Sequence, residues 1–235
     1  MSISTTIKSA SESLFDLFYP QNCVSCGTHL FKNEIEVCRL CLKRLPRTHF
    51  EKRPHDNVIS ALLWGRCKVE YSYALYYYRK GERVQKLLHS VKYKGNKKLG
   101  VLLGNELGKS ILSSEQIFDV IIPVPLHQLK QRQRGYNQSE VIATGINEIL
   151  NIPVNTSVLK RAVHTSTQTK KSRFERWQNV ESIFNMNKAE ELRNKHILVI
   201  DDVITTGSTM EACINTLSKI DGVKISLATI ACAYL

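Results

Sequence analysis

His196–Met210 reads HILVIDDVITTGSTM, and this stretch decides the fold. Ile197–Ile200 is a continuous apolar run, the pattern of a strand buried on both faces. The expected strand covers His196–Ile200, which sets Asp201 and Asp202 just past its carboxyl end. Open α/β sheets bind ligands at that edge. Two adjacent carboxylates suit the vicinal hydroxyls of a ribose, because each accepts a hydrogen bond from an OH. Thr205, Thr206, Gly207, Ser208 and Thr209 then lead into a helix. Gly207 permits a tight turn and a close backbone approach. The hydroxyls and the free N–H groups of the helix start can wrap a phosphate. Taken singly, an acidic strand end and a Ser/Thr cap are commonplace. Together they are shaped for ribose-5-phosphate.

Outward from this stretch the pattern remains α/β. Ser208–Lys219 predicts a helix with Met210, Cys213, Ile214 and Leu217 on one face, and Val223–Ala231 a closing strand. Upstream, Tyr71–Arg79 is an aromatic-rich strand and Glu82–Lys92 an amphipathic helix. Lys98–Leu112 is a second helix, Phe118–Val124 a buried strand, Tyr136–Leu150 a helix and Thr156–Leu159 a further candidate strand. Strands alternating with helices imply a parallel sheet with right-handed crossovers. Val163–Asn179 is polar and basic without apolar periodicity, and reads as a mobile loop. The division expected is 1–46 as an N-terminal amphipathic helix and cysteine module, 47–57 as a linker, and 58–235 as the α/β domain.

The chain has 235 residues, a formal charge of +12 and seven cysteines. No apolar run reaches membrane-spanning length, and the N-terminus lacks the continuous apolar stretch of a signal peptide. A cytoplasmic protein without membrane insertion is the expectation. In a reducing compartment, clustered cysteines bind metal more often than they form disulfides. Cys23-Val-Ser-Cys26 and Cys38-Arg-Leu-Cys41 are two CxxC knuckles separated by eleven residues. Two knuckles complete a tetrahedron of thiolates and leave no ligand position open, as in a structural zinc site. A redox dithiol pair is the competing reading. His29 and His49 lie nearby but are surplus to a four-cysteine site. With a zinc thiolate centre the charge stays near about +10, which favours anionic partners such as phosphate-rich small molecules or nucleic acid.

The acid pair with its TTG turn resembles the signature of type I phosphoribosyltransferases. The resemblance extends to the YP start at Tyr19 with its CxxCG, to VKYKG at Val91–Gly95, to Pro123-Val124-Pro125, and to RGYNQ at Arg134–Gln138. With the cysteine module in front, the chain is similar to the ComF family, whose members join a zinc finger to a phosphoribosyltransferase domain. Its second half also resembles the transferase domain of glutamine amidophosphoribosyltransferase. The resemblance implies a type I phosphoribosyltransferase fold, a Rossmann-like parallel sheet with a hood, behind a small four-cysteine zinc ribbon. It implies phosphoribosyl pyrophosphate as ligand: Asp201 and Asp202 on the ribose, Thr205–Thr209 on the 5-phosphate. Magnesium would accompany the pyrophosphate, met by the loop after Val124 and a flexible hood loop over Val163–Asn179. Arg132, Arg134, Lys170, Lys171, Arg173 and Arg176 are the cations for that diphosphate.

One departure bears on chemistry. Purine-salvage enzymes of this fold carry a carboxylate just before the TG of the turn, and here that place is Thr205. A general base for a purine is missing from the loop, and no catalytic residue or acceptor can be assigned. Three functions remain open. One is a ligand-binding protein for DNA uptake that handles single-stranded DNA with competence proteins, as the family is linked to natural transformation. Another is an active phosphoribosyltransferase of unknown acceptor. The third is a zinc-dependent assembly factor.

Overall fold

The computed structural model describes residues 21–161 and 183–233. The expected N-terminal helix and the Val163–Asn179 loop, with Lys170, Lys171, Arg173 and Arg176, lie outside the described residues. Four strands form one parallel sheet: β1 (Ser72–Tyr78), β2 (Val120–Pro123), β5 (His196–Ile204) and β6 (Lys224–Ala233), in the order β1-β6-β5-β2. β3 (Leu159–Arg161) and β4 (Phe184–Met186) make a separate antiparallel pair. The described helices are α1 (Arg39–Arg44), α2 (Val58–Leu63), α3 (Arg83–Tyr93), α4 (Lys97–Leu112), α5 (Gln128–Arg134), α6 (Gln138–Leu150) and α7 (Ser208–Leu217). None of them is long and apolar enough to cross a membrane.

The sheet is covered on both sides, which explains the unbroken apolar runs of its central strands. On one side Leu198, Ile200, Ala228 and Ile230 pack with α3, α4 and α6. On the other, Ile197, Val199, Leu227 and Cys232 pack with α2, α7 and the β3–β4 pair. α4 and α6 meet at backbone distance, because a Cβ on Gly104 would stand 2.2 Å from the Ile142 carbonyl oxygen and one on Gly145 2.2 Å from that of Val101. Both positions are closed to any side chain.

The cysteine module joins the same core. Leu30, Val37 and Leu45 pack in one cluster with Tyr73 and Leu75. Asn96, the N-cap of α4, donates to Glu36 at 2.6 Å. The segment after the module is fastened to the sheet: Arg47 bridges to Tyr76 and pairs with Glu106 at 2.6 Å.

Among the differences from the sequence expectation, three have a clear physical cause. β5 runs through Asp201 and Asp202 to Ile204, because pairing with the long apolar β6 continues to Ile204↔Cys232. The expected strand Thr156–Leu159 starts late. The Asn155 side chain accepts from Ser157 N and Val158 N at 2.9 and 3.1 Å, and this turn delays extended pairing until Leu159. The helix α5 was not expected, since it buries no residue and so has no apolar period.

Candidate functional site

The last turns of β5 bring the acids and the phosphate-loop candidates to one place. A cavity is lined by Asp201, Val203, Ile204 and every residue from Thr205 to Met210. Gly207 sits at φ +77 as the N-cap of α7, a conformation open to glycine at little cost. Thr206 Oγ1 and Ser208 Oγ are 3.2 Å apart across the turn. Hydroxyls, a bare backbone and the first N–H groups of a ten-residue helix thus face one hollow, the arrangement that accepts an anion.

The two acids have different partners. Asp201 Oδ1 accepts from Ser139 Oγ at 3.0 Å and from the Asp202 amide at 2.8 Å. Burial pushes its carboxyl up to about 7, and the neighbouring Asp202 charge adds to the rise. Asp202 is 4% exposed, and its Oδ2 lies 2.8 Å from Lys92 Nζ, an ion pair rather than a well-directed hydrogen bond. Lys92 belongs to the VKYKG stretch at the end of α3, and Ser139 to the first turn of α6. Neither side chain carries a local sequence signal for this role.

A third residue absent from the sequence reading is Arg66. Its guanidinium donates to the Thr206 carbonyl oxygen at 2.9 Å and pairs with Glu211 in the first turn of α7. Leu63 reaches within 3.0 Å of where a Cβ on Gly207 would stand. The segment after α2 therefore braces the phosphate turn from behind. No local signal could have found this contact, which spans 140 residues of sequence.

RGYNQ is a fastening device. Gly135, at φ +75, ends α5, and Tyr136 OH donates to the Val91 carbonyl. Asn137 caps α6 and donates to the Val124 carbonyl at 3.0 Å, which holds the loop after β2. Arg134 donates to Gln138 at 2.9 Å, stacks 4.9 Å from the Tyr93 ring centroid, and lines a cleft with Lys92. Arg132 is exposed on α5 and does not line that cleft.

The four knuckle cysteines converge. The sulfurs of Cys23, Cys26, Cys38 and Cys41 all lie within 4.8 Å of one another. Cys23 Sγ accepts from the Cys38 amide at 3.3 Å, and Cys38 Sγ from the Cys41 amide at 3.4 Å, as the N-cap of α1. The hydrogen bonds of Thr28 lower the Cys26 thiol to about 6, whereas burial pushes Cys41 up to about 12. Four convergent sulfurs, two of them with an amide donor aimed at them, fit a structural zinc ribbon and no open catalytic position.

A parallel sheet that carries two acids at the end of its central strand, followed at once by an anion-wrapping turn and helix, is a type I phosphoribosyltransferase fold. Residues 104–233 match the phosphoribosyl transferase domain model, and the chain belongs to that family, within its ComF branch. It is 37% identical over 103 residues to competence protein F of Haemophilus influenzae, covering 43% of this chain and 45% of that one. Identity to the DNA utilization protein YhgH of Escherichia coli O157:H7 is 29% over 129 residues, 53% of this chain and 56% of that one. Competence protein ComFC of Bacillus subtilis is 25% identical over 194 residues, 80% of this chain and 74% of that one. The chain spans about half the length of the first two relatives.

Proposed function

We propose that the chain binds phosphoribosyl pyrophosphate with magnesium, and that it acts in the cytoplasm in DNA uptake, handling single-stranded DNA. The single observation that carries the ligand is the cavity where Asp201 and the Thr205–Met210 turn meet. Asp201 and Asp202 would take the ribose hydroxyls, and Thr205–Thr209 the 5-phosphate. The loop after β2, Arg132 and the cations of Val163–Asn179 would face the pyrophosphate. A magnesium ion, when bound, supplies charge neutralisation for the diphosphate. The Asp202 charge, which adds to the burial-driven rise of the Asp201 carboxyl, would also draw a cation toward the pair. The competence half of the reading is supported by the names of the relatives. The working division is a zinc module over 1–46, a connecting segment over 47–57 and a phosphoribosyl-binding domain over 58–235.

Thr205, where purine-salvage enzymes hold a carboxylate, favours binding over base-directed transfer. Thermal unfolding with rising ligand tests the assignment. A ligand at 100 times its Kd adds about 2.7 kcal/mol of stability. Phosphoribosyl pyrophosphate with magnesium is expected to raise Tm, with no pyrophosphate released over hours. An unchanged Tm sinks the ligand assignment, and steady pyrophosphate release replaces the binding protein with an enzyme.

A further inference from the structure

We propose that the cleft between α3 and α5 is a second anion site that takes a planar base carrying a phosphate, the chemistry of a nucleotide. The cleft has a volume of about 250 Å³ and is lined by Lys92, Tyr93, Gly95, Lys130, Gln133 and Arg134. Three of these residues are cations and none is acidic. Lys92 is committed to Asp202 at 2.8 Å, which leaves Lys130 and Arg134 to supply charge to an occupant. An anion is therefore the ligand that the lining favours.

Tyr93 makes the site more than a basic surface. It is 63% exposed, in the last turn of a helix whose other large apolar side chains are buried. Its ring carries the Arg134 guanidinium at 4.9 Å, and the His89 ring lies 4.7 Å away, tilted by 44°. Arg134 is held in place by its bond to Gln138 at 2.9 Å. A guanidinium fixed against an exposed phenol ring is a ready platform. A base can stack on it without first ordering the side chains, and Arg retains donors for a phosphate. A bare phosphate would have no use for the ring.

α5 itself points the same way. It buries no residue, so its sequence QLKQRQR is not set by packing against the core. It is nonetheless fixed at both ends, by the His127 cap and by Gly135. Gly95, at φ +68 with nothing within 4 Å of its missing Cβ, leaves the wall of the cleft open on its side. Nucleotide chemistry could come from a free mononucleotide or from a DNA strand. The inference deepens the nucleic-acid part of the proposed function and rests on it. Phosphoribosyl pyrophosphate binding is measured separately, so either reading can fail alone.

The test uses the full zinc-loaded chain in fluorescence anisotropy with a labelled thymidine 12-mer, and calorimetry with thymidine monophosphate. Wild type, Tyr93→Ala, Tyr93→Phe and Lys130→Ala are compared. Tyr93→Ala is expected to weaken binding about tenfold or more, Tyr93→Phe to keep it, and Lys130→Ala to lower the salt slope by about one. Both Tyr93 variants should retain phosphoribosyl pyrophosphate binding. Tighter binding of the 12-mer than of the mononucleotide identifies a strand, and equal binding a free nucleotide. The proposal is overturned by equal affinity in Tyr93→Ala and wild type, by inorganic pyrophosphate displacing the probe from both alike, or by failure of wild type to bind either probe. In the first two cases DNA handling survives elsewhere on the chain. In the third it falls as well, and phosphoribosyl pyrophosphate binding remains to be judged on its own titration.

Discussion

Replacing Asp201 by Asn should make the magnesium-free protein more stable above neutral pH while removing a ligand contact. The Asp201 carboxyl is raised from 3.8 to about 7, first by burial and then by the Asp202 charge. The folded chain therefore holds this proton more tightly than the unfolded chain. Stability from this group is fully present below about pH 4 and is lost as pH rises through 7. A rise of that size sets a ceiling of about 4 kcal/mol, at about 1.36 kcal/mol for each tenfold change in proton affinity. Asp201 keeps some solvent contact, so screening brings the expected gain to about 1–3 kcal/mol. Asn retains the oxygen that accepts from Ser139 and from the Asp202 amide, and no hydrogen bond is lost. Urea unfolding followed by circular dichroism, with zinc present and magnesium absent, reads this directly. At pH 8 the Asp201→Asn midpoint should lie about 0.5–1 M above wild type, for a slope of about 2–3 kcal/mol per M. At pH 5, still above the unfolded-state value of 3.8, the gap should narrow to about half. The same gap at both pH values, or a less stable variant at pH 8, refutes the reasoning.

Lys92→Met leaves the buried Asp202 charge without its partner and should cost about 3–5 kcal/mol at pH 8 by chemical denaturation. Adding Asp202→Asn should restore most of that loss, which a merely shape-dependent defect would not show. Gly104→Ala drives a methyl group into the Ile142 carbonyl and should cost about 3 kcal/mol, read as a lowered urea midpoint with the slope unchanged. Cys38→Ser should bring zinc content from near one per chain to near zero by metal analysis, and a chelator should unfold the residues around the knuckles in hydrogen exchange. Arg66→Ala releases the Thr206 carbonyl and Glu211, so phosphoribosyl pyrophosphate affinity should fall about tenfold while zinc content stays constant.

The sequence made the acids and the phosphate turn legible because their chemistry is local. An apolar run, two carboxylates and a TTG turn lie within fifteen consecutive residues, and the knuckle cysteines announce themselves by spacing. What it hid are the partners supplied by distant elements. Ser139, Lys92 and Arg66 belong to α6, α3 and the segment after α2, and meet the site only once the sheet has ordered those elements around β5. RGYNQ was legible as a motif, but its work as cap and tie could be seen only with the Val91 and Val124 carbonyls in place. α5 escaped because helix reading depends on an apolar face, and α5 has none. The overrun of β5 past Asp202 is a property of its neighbour: β6 supplies pairing partners that His196–Ile200 alone does not reveal.

The central claim is that the acids at the end of β5 and the turn after them hold one phosphoribosyl ligand. Calorimetry of phosphoribosyl pyrophosphate with magnesium, on wild type and on Asp201→Asn/Asp202→Asn, tests it most directly. The account predicts saturable one-to-one binding by wild type and a loss of at least about a hundredfold in the double variant, from two charge-assisted contacts of roughly 1.5–3 kcal/mol each. Equal affinity in the two proteins would contradict it.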